Sequence, residues 1–448
     1  MDALDQIFKA YDIRGRVDTG ELTEEVARSV GVGFAGIIDE STVAVGRDCR
    51  TSSPRLAAAF IDGLLAAGKD VLDVGEVSTD VIYFVAGARG TAGAMITASH
   101  NPPSYNGIKL CRSGAVPVGE ESGLADVKAI VRAGAPTLGT SSGSVAAEDV
   151  RVAYADHLFS IVDPSAIQPL TVALDGGNGM AGAVLPQILD RLPLTTLDLY
   201  LEPDGTFPNH PANPIDPSNL VEVQALVIDG GADLGVAFDG DADRAFFIDD
   251  RGVPLSGSTT TALIARWFLG RHPGASIVHN LITSKAVPEA ISAAGGTPVR
   301  TRVGHSFIKA VMAETDAVFG GEHSGHYYFR DNFRADSGLL AMLVLLQVLG
   351  EDGRPLNELR RDVEPYAQSG EINLDVVDKE AAMERVVVNF PDAKIDRLDG
   401  VTIDLGDRWC NLRPSNTEPV LRLNVEAADR VGVDALVAEV RGVVGVGA

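Results

Sequence analysis

Cysteine is scarce in this sequence: Cys49, Cys111 and Cys410 are the only three among 448 residues, and no two share a paired spacing. That excludes a disulfide framework and a Cys-based zinc site, and it favours a reducing, cytoplasmic compartment. Basic charge is also short, with 37 Lys and Arg against 62 Asp and Glu and a formal net charge of −25. Nucleic acid and anionic membrane surfaces are therefore poor partners. A small anionic ligand is repelled at long range too, so any anion site has to be a local concentration of Arg and Lys. Long apolar runs are missing. GLLAMLVLLQVLG at 338–350 is too short to span a bilayer and reads as a buried helix. The first twenty residues lack a basic segment followed by an apolar one, so no signal peptide is expected.

What is present is a loose internal repeat. TVAVGRDCRTSSPRLAAAFIDGLLAAGKDVLDVG (42–75), TVALDGGNGMAGAVLPQILDRLPLTTLDLY (171–200) and SIVHNLITSKAVPEAISAAGGTPVRTRVG (276–304) each read as strand, loop, helix, strand. Crossovers of that length are what parallel strands require. Each is followed by another apolar strand ending in a polar loop: GAMITASHNP, LGVAFDGDADR and AVFGGEHSGH. Ligands of open α/β sheets sit beyond the carboxyl ends of strands, so three equivalent loops point to one shared site. After about residue 365, INLDVV, VTIDLG, RWCNLRP and VLRLNVEA read as short strands, and VDALVAEVRGVV as a closing amphipathic helix. The expected fold is α/β: three βαβ-type domains of shared topology over 1–145, 146–250 and 251–365, then an α+β domain over 366–448.

The loops carry the chemistry. In DGDADR, Asp239, Asp241 and Asp243 alternate, so an extended segment puts all three carboxylates on one face. Such a set suits Mg²⁺ or Ca²⁺ rather than zinc, with a solvated acidic turn as the alternative. A calcium-loop reading fails, because Arg244 and Asp250 stand where that motif needs Gly and Glu. In TASHNP, Ser99 follows an apolar strand without a Gly-x-Ser-x-Gly elbow, with His100 beside it and Lys109 nearby. A capped turn is the plain alternative. Lys109 can serve as a general acid or base if its pKa is lowered in the cleft. In GEHSGH, Glu322 and Ser324 alternate and suit a polyol, whereas the spacing of His323 and His326 is weak evidence for a metal. RPSNTEP offers Arg413, Ser415, Asn416 and Thr417, a guanidinium with hydroxyls and an amide that suits a phosphate dianion. Arg14, Arg47, Lys285 and His305 are further basic candidates.

Taken in order, FKAYDIRG, TASHNP, DGDADR, GEHSGH and RPSNTEP resemble the α-D-phosphohexomutase superfamily over almost the whole chain. The resemblance implies four domains around a central cleft and a serine carried as phosphoserine, so that Ser99 is a phosphoryl relay. It implies Mg²⁺ held by Asp239, Asp241 and Asp243 with a phosphate oxygen on Ser99. Catalytic roles fall on Ser99, His100, Lys109, Arg244 and His326. Substrate contacts fall on Tyr11, Arg14, Lys285, His305, Glu322, Ser324, Arg413, Ser415, Asn416 and Thr417. The resemblance also implies a hexose 1,6-bisphosphate as intermediate and activator.

Asn416 resembles the phosphomannomutase/phosphoglucomutase group rather than the phosphoglucosamine mutases, while His323 departs from the Met common at that place. The expectation is interconversion of mannose 6-phosphate and mannose 1-phosphate, with glucose phosphates also accepted, by a cytoplasmic monomer or small homo-oligomer. Phosphoglucomutase and phosphoglucosamine mutase are the alternatives. A metal-dependent sugar phosphatase and a silent sugar-phosphate sensor are more distant ones.

Overall fold

A computed structural model describes residues 3–134, 143–415 and 420–445, apart from the side chains of Ala3 and His305. The chain divides into two compact units, Met1–Ser256 with Ser324–Asn357 and Gly257–His323 with Glu358–Ala448. Each is taken by itself.

The first unit holds two of the predicted repeats. Strand Thr42–Arg47, helix Ser53–Ala66 and strand Asp70–Glu76 form one parallel crossover. After helix Thr79–Arg89, strand Ala92–Ile96 pairs on the other side of Thr42–Arg47, again parallel. The second repeat has the same order: Leu170–Asp175 lies between Leu194–Leu199 and Leu234–Phe238, all parallel. In both, the first strand is central and the third runs into a motif loop. Each third strand then gains an antiparallel neighbour, Tyr105–Arg112 in one sheet and Ala245–Asp249 in the other. Strand Ile13–Arg16 closes one edge of the first sheet, and Val145–Ala147 adds to the opposite edge beside Asp70–Glu76.

Apolar runs explain why these strands are central. Ala92–Ile96 and Leu234–Phe238 are buried along their full length, as expected of strands covered on both faces. The helix predicted at 338–350 spans Gly338–Asp352, capped by the Ser337 hydroxyl accepting from the Leu340 amide, and is buried almost throughout.

A polar network ties three helices of this unit together. Asp80, in the first turn of Thr79–Arg89, is fully buried and accepts from Tyr154 Oη and Ser337 Oγ, both at 2.6 Å, and from Ser78 Oγ. Burial pushes its carboxyl up to about 6, against the three hydroxyls that stabilise the anion.

In the second unit, Ser276–Asn280 lies between Thr297–Thr301 and Phe319–Gly321, parallel to both, so the third repeat keeps the strand order of the first two. The C-terminal sheet is antiparallel, in the order Ala367–Leu374, Leu421–Ala427, Arg408–Pro414, Val401–Asp404, Lys394–Asp396. Helices Lys379–Asn389 and Arg430–Val444 contribute to its core. The first of these helices and strand Lys394–Asp396 are additions to the sequence reading. Among the described residues no helix is long and apolar enough to cross a membrane, and Cys49, Cys111 and Cys410 form no disulfide.

Tyr154→Phe removes one of the three donors to Asp80. It is expected to lower the first unfolding midpoint in denaturant by the equivalent of about 1 kcal/mol; an unchanged midpoint would remove Tyr154 from the anchors of this unit.

Candidate active site

The loop after strand Ala92–Ile96 brings Ser99 out in the left-handed region, with φ +50°. For a residue other than glycine that costs about 1–3 kcal/mol and persists only where the surroundings impose it. Ser99 Oγ donates to Asp239 Oδ2 at 2.8 Å and lies 3.2 Å from His100 Nδ1. The serine and the aspartate loop, 140 residues apart in sequence, are thus in direct contact.

The aspartates converge for a reason other than the one alternation predicts. Strand Leu234–Phe238 ends before them, and the segment turns, with Ala242 at φ +59°. The turn, not a pleat, places one oxygen of each of Asp239, Asp241 and Asp243 within 4.8 Å of the others, all three residues buried. Two oxygens, Asp241 Oδ1 and Asp243 Oδ1, are buried with no hydrogen-bond donor among the described residues. Oxygen donors left bare inside a buried acidic cluster fit a hard divalent cation such as Mg²⁺. Asp239, Asp241 and Asp243 are therefore the residues suited to hold it.

Two cations face this cluster. Lys109 Nζ, on strand Tyr105–Arg112, is 2.6 Å from both Asp241 Oδ2 and Asp243 Oδ2. Arg244 donates from Nε and Nη2 to Asp239 Oδ2 at 2.9 and 2.7 Å, and from Nη2 to Ser99 Oγ at 3.3 Å. Burial pushes the Asp239 carboxyl up to about 7, opposed by Arg244 and reinforced by the other two aspartates. Burial also favours protonation of Asp241 and Asp243, but Lys109, joined by the Thr79 hydroxyl at Asp241 and by His326 and Arg244 at Asp243, brings both below the ordinary carboxylate value.

Lys109 corrects the sequence expectation. Burial does act to lower its pKa, yet Asp241 and Asp243 raise it well above the ordinary value, so it is a fixed cation here. In this arrangement its ammonium donates to both carboxylates. His100 is the reverse. Burial, then Arg244 and Arg14, push its pKa far down, and Arg244 Nη2 donates to its Nδ1. It is a neutral acceptor and no acid.

His326 reaches the same cluster. An isolated backbone bridge joins it to Arg244, its Nε2 lies 3.6 Å from Asp243 Oδ1 and 3.9 Å from Asp336 Oδ2, and its Nδ1 is 3.1 Å from Ser324 Oγ. Arg14, on the edge strand Ile13–Arg16, donates from Nη1 to Asn101 Oδ1 at 2.5 Å, inside the serine loop, and pairs with Asp12. Tyr11 is half-buried just before that strand. Arg47 pairs instead with Asp73 at 2.8 Å.

In the second unit, Glu322 is buried and accepts from the Asn280 amide at 3.3 Å and the Gly304 N–H at 3.2 Å. Arg413, also buried, donates from Nη2 to Glu371 Oε2 at 3.0 Å. Glu371 is ringed by basic side chains: Arg422 Nη1 lies 3.0 Å and His323 Nε2 3.7 Å from its oxygens. Burial raises its carboxyl, but His323, Arg422 and Arg413 bring it down to about 2. Lys285 Nζ pairs with Asp404 at 2.8 Å. The Ser415 amide bonds to the Val420 carbonyl, while Asn416, Thr417 and the His305 side chain lie outside the described residues.

Sequence reasoning missed Thr79, which opens a helix of the first unit. Its Oγ1 donates to Asp241 Oδ2 at 2.5 Å and its amide to the Asp241 carbonyl at 3.0 Å. A threonine at a helix start carries no signal of this, because the contact spans 162 residues. Glu371 and Arg422 were missed for a similar reason, since each sits in a strand that reads as ordinary sheet.

Comparison with known proteins accounts for nearly all of the chain. The three α/β/α domain families of phosphoglucomutase/phosphomannomutase match residues 5–136 (domain I), 152–252 (domain II) and 256–366 (domain III), and the C-terminal domain family matches 371–443. A phosphomannomutase of Salmonella montevideo is 41% identical, with 94% of each chain covered. A protein of Xanthomonas campestris described as phosphohexose mutases is 40% identical, again over 94% of each. A crystal structure of a phosphoglucomutase/phosphomannomutase family protein from Burkholderia thailandensis is 32% identical and superposes with a TM-score of 0.89, covering 99% of this chain and 97% of that one. Relatives this similar, over this much of their length, make the chain a member of the phosphoglucomutase/phosphomannomutase family.

Proposed function

We propose that the protein interconverts mannose 6-phosphate and mannose 1-phosphate, and accepts glucose phosphates, through a phosphoserine at Ser99 and a bisphosphorylated sugar. The observation that carries this reading is the 2.8 Å contact between Ser99 Oγ and Asp239 Oδ2, inside a cluster that also holds Lys109 and Arg244. Mannose is favoured because relatives about 40% identical are named phosphomannomutases.

The chemistry follows from charge. A phosphoryl group in transit spreads negative charge over its oxygens and is stabilised by fixed cations rather than by covalent partners. Mg²⁺ on the three aspartates would supply Lewis-acid stabilisation of a phosphate oxygen. Arg244, 3.3 Å from Ser99 Oγ, is aimed where that charge develops. Lys109 adds a second fixed positive charge. His326, whose Nε2 lies 3.6 Å from Asp243 Oδ1, is assigned the exchange of a proton with the sugar hydroxyl.

Phospho-Ser99 donates to the free hydroxyl of the hexose monophosphate. The other phosphate of the resulting bisphosphate then returns to Ser99, so the enzyme ends as it began and the sugar is isomerised. Glu322 and Ser324 are assigned to sugar hydroxyls. Arg413, with Ser415, Asn416 and Thr417, is assigned to the phosphate that does not react. Tyr11, Arg14, Lys285 and His305 complete the proposed substrate set. Arg413 meets Glu371 in this structure, so a substrate phosphate competes with that carboxylate for the guanidinium.

A coupled assay with mannose 1-phosphate, Mg²⁺ and a trace of hexose bisphosphate is expected to yield mannose 6-phosphate. Free phosphate as the product would indicate a phosphatase, and no product a sensor. Ser99→Ala should abolish isomerisation while leaving thermal unfolding unchanged; turnover near wild type in that variant would end the relay reading. Chelation with EDTA should silence the enzyme, and added Mg²⁺ should restore it. Activity that persists after exhaustive chelation would argue against the aspartate site.

A further inference from the structure

Arg50 is fully buried and belongs to none of the motif loops. Its guanidinium nevertheless spends four hydrogen bonds on the serine loop. Nη2 donates to the carbonyls of Ser99 and Asn101, each at 2.7 Å, and Nη1 to those of Pro102 at 2.7 Å and Tyr105 at 3.1 Å. Nε donates to Asp48 Oδ2 at 3.0 Å, and Asp48 Oδ1 accepts from the Arg50 amide and Ser53 Oγ. With those, all five N–H donors of the side chain are used. The Phe207 ring covers the guanidinium, its centroid 4.9 Å from Cζ.

A buried cation ordinarily answers a carboxylate or an anionic ligand. This one has a single carboxylate and otherwise gathers main-chain oxygens of one short loop. The Ser99 carbonyl is confined from a second side as well, since a Cβ built on Gly240 would lie 2.3 Å from it. From below, the Ser99 amide is fixed by Thr97 Oγ1 at 3.0 Å. The left-handed backbone at Ser99 is thereby set by three contacts, of which Arg50 supplies the only charged one.

We propose that Arg50 is a positioning residue for phosphoryl transfer: it holds Ser99 in its left-handed conformation so that Oγ stays against Asp239 while its phosphate comes and goes. The inference rests on reading Ser99 as the phosphate carrier. Arg50 acts through the backbone and not on the phosphate, so it orders the nucleophile without competing for the transferred group. In-line transfer is sensitive to misplacement of the reacting oxygen, whereas ground-state sugar binding is not. The signature of Arg50 is therefore a loss in kcat with KM retained. Lysine keeps the charge but, with three donors on one nitrogen, cannot span four carbonyls.

The test compares wild type, Arg50→Lys and Phe207→Leu, the last at a half-buried position. Steady-state kinetics are measured with mannose 1-phosphate, and Ser99 phosphorylation by mannose 1,6-bisphosphate is followed by intact mass. Arg50→Lys should lower kcat and the phosphorylation rate together by about tenfold or more, with KM within about twofold of wild type. Phe207→Leu, which removes only the ring, should lower kcat by roughly threefold. If Arg50→Lys does not fold, Phe207→Leu decides. Wild-type kcat in the folded variants would overturn the assignment, and so would a loss confined to KM. If wild-type Ser99 takes up no phosphate, the relay reading itself fails, and this inference goes with it.

Discussion

Three carboxylates buried at one point cannot stand alone, because each unpaired buried ion costs several kcal/mol. Here Lys109 and Arg244 answer them, one from a strand of the first sheet and one from the loop itself. That requirement welds the serine loop to the aspartate loop. Lys109 lies on the strand antiparallel to the one that launches Ser99, so neutralising Asp241 and Asp243 also fixes the distance to the serine. Thr79 adds a neutral tether from a neighbouring helix, and the Asp80 network anchors that helix in turn. Two cations against three carboxylates leave the cluster short of positive charge, which a divalent ion held by the aspartates would supply.

The same logic explains how a chain of net charge −25 handles phosphorylated sugars. Its cations are concentrated where phosphate has to go. In the proposed mechanism Arg244 and Lys109 serve the reacting group. Arg413 and Arg422 converge on Glu371, a carboxylate that substitutes for an anion and keeps two neighbouring guanidinium groups from repelling each other.

Much of this was legible in the sequence. The three crossovers announced themselves through apolar strands separated by helical stretches of similar length, and each third strand leads into the motif loop expected of it. Ser99, the aspartates and Lys109 were legible as candidates because short polar loops after buried strands have few structural reasons to hold such residues. What stayed hidden depends on three-dimensional pairing. Alternation predicted the convergence of the aspartates for the wrong reason, since a turn at Ala242 does it. The charge state of Lys109 depends on pairing that the sequence does not show: burial is the largest single influence on it, and Asp241 and Asp243 together outweigh that burial. Arg50 sits in a stretch, GRDCRTSSP, whose only visible role is to start a helix, and nothing local links it to a loop 50 residues later.

The most direct test of the account follows the phosphate. Enzyme phosphorylated at Ser99 with labelled phosphate is mixed with unlabelled mannose 1-phosphate and Mg²⁺ and quenched within one turnover. The account predicts that the label leaves the serine and is found on hexose bisphosphate or mannose 6-phosphate. Label released as inorganic phosphate, or retained on the protein while sugar is isomerised, would contradict it.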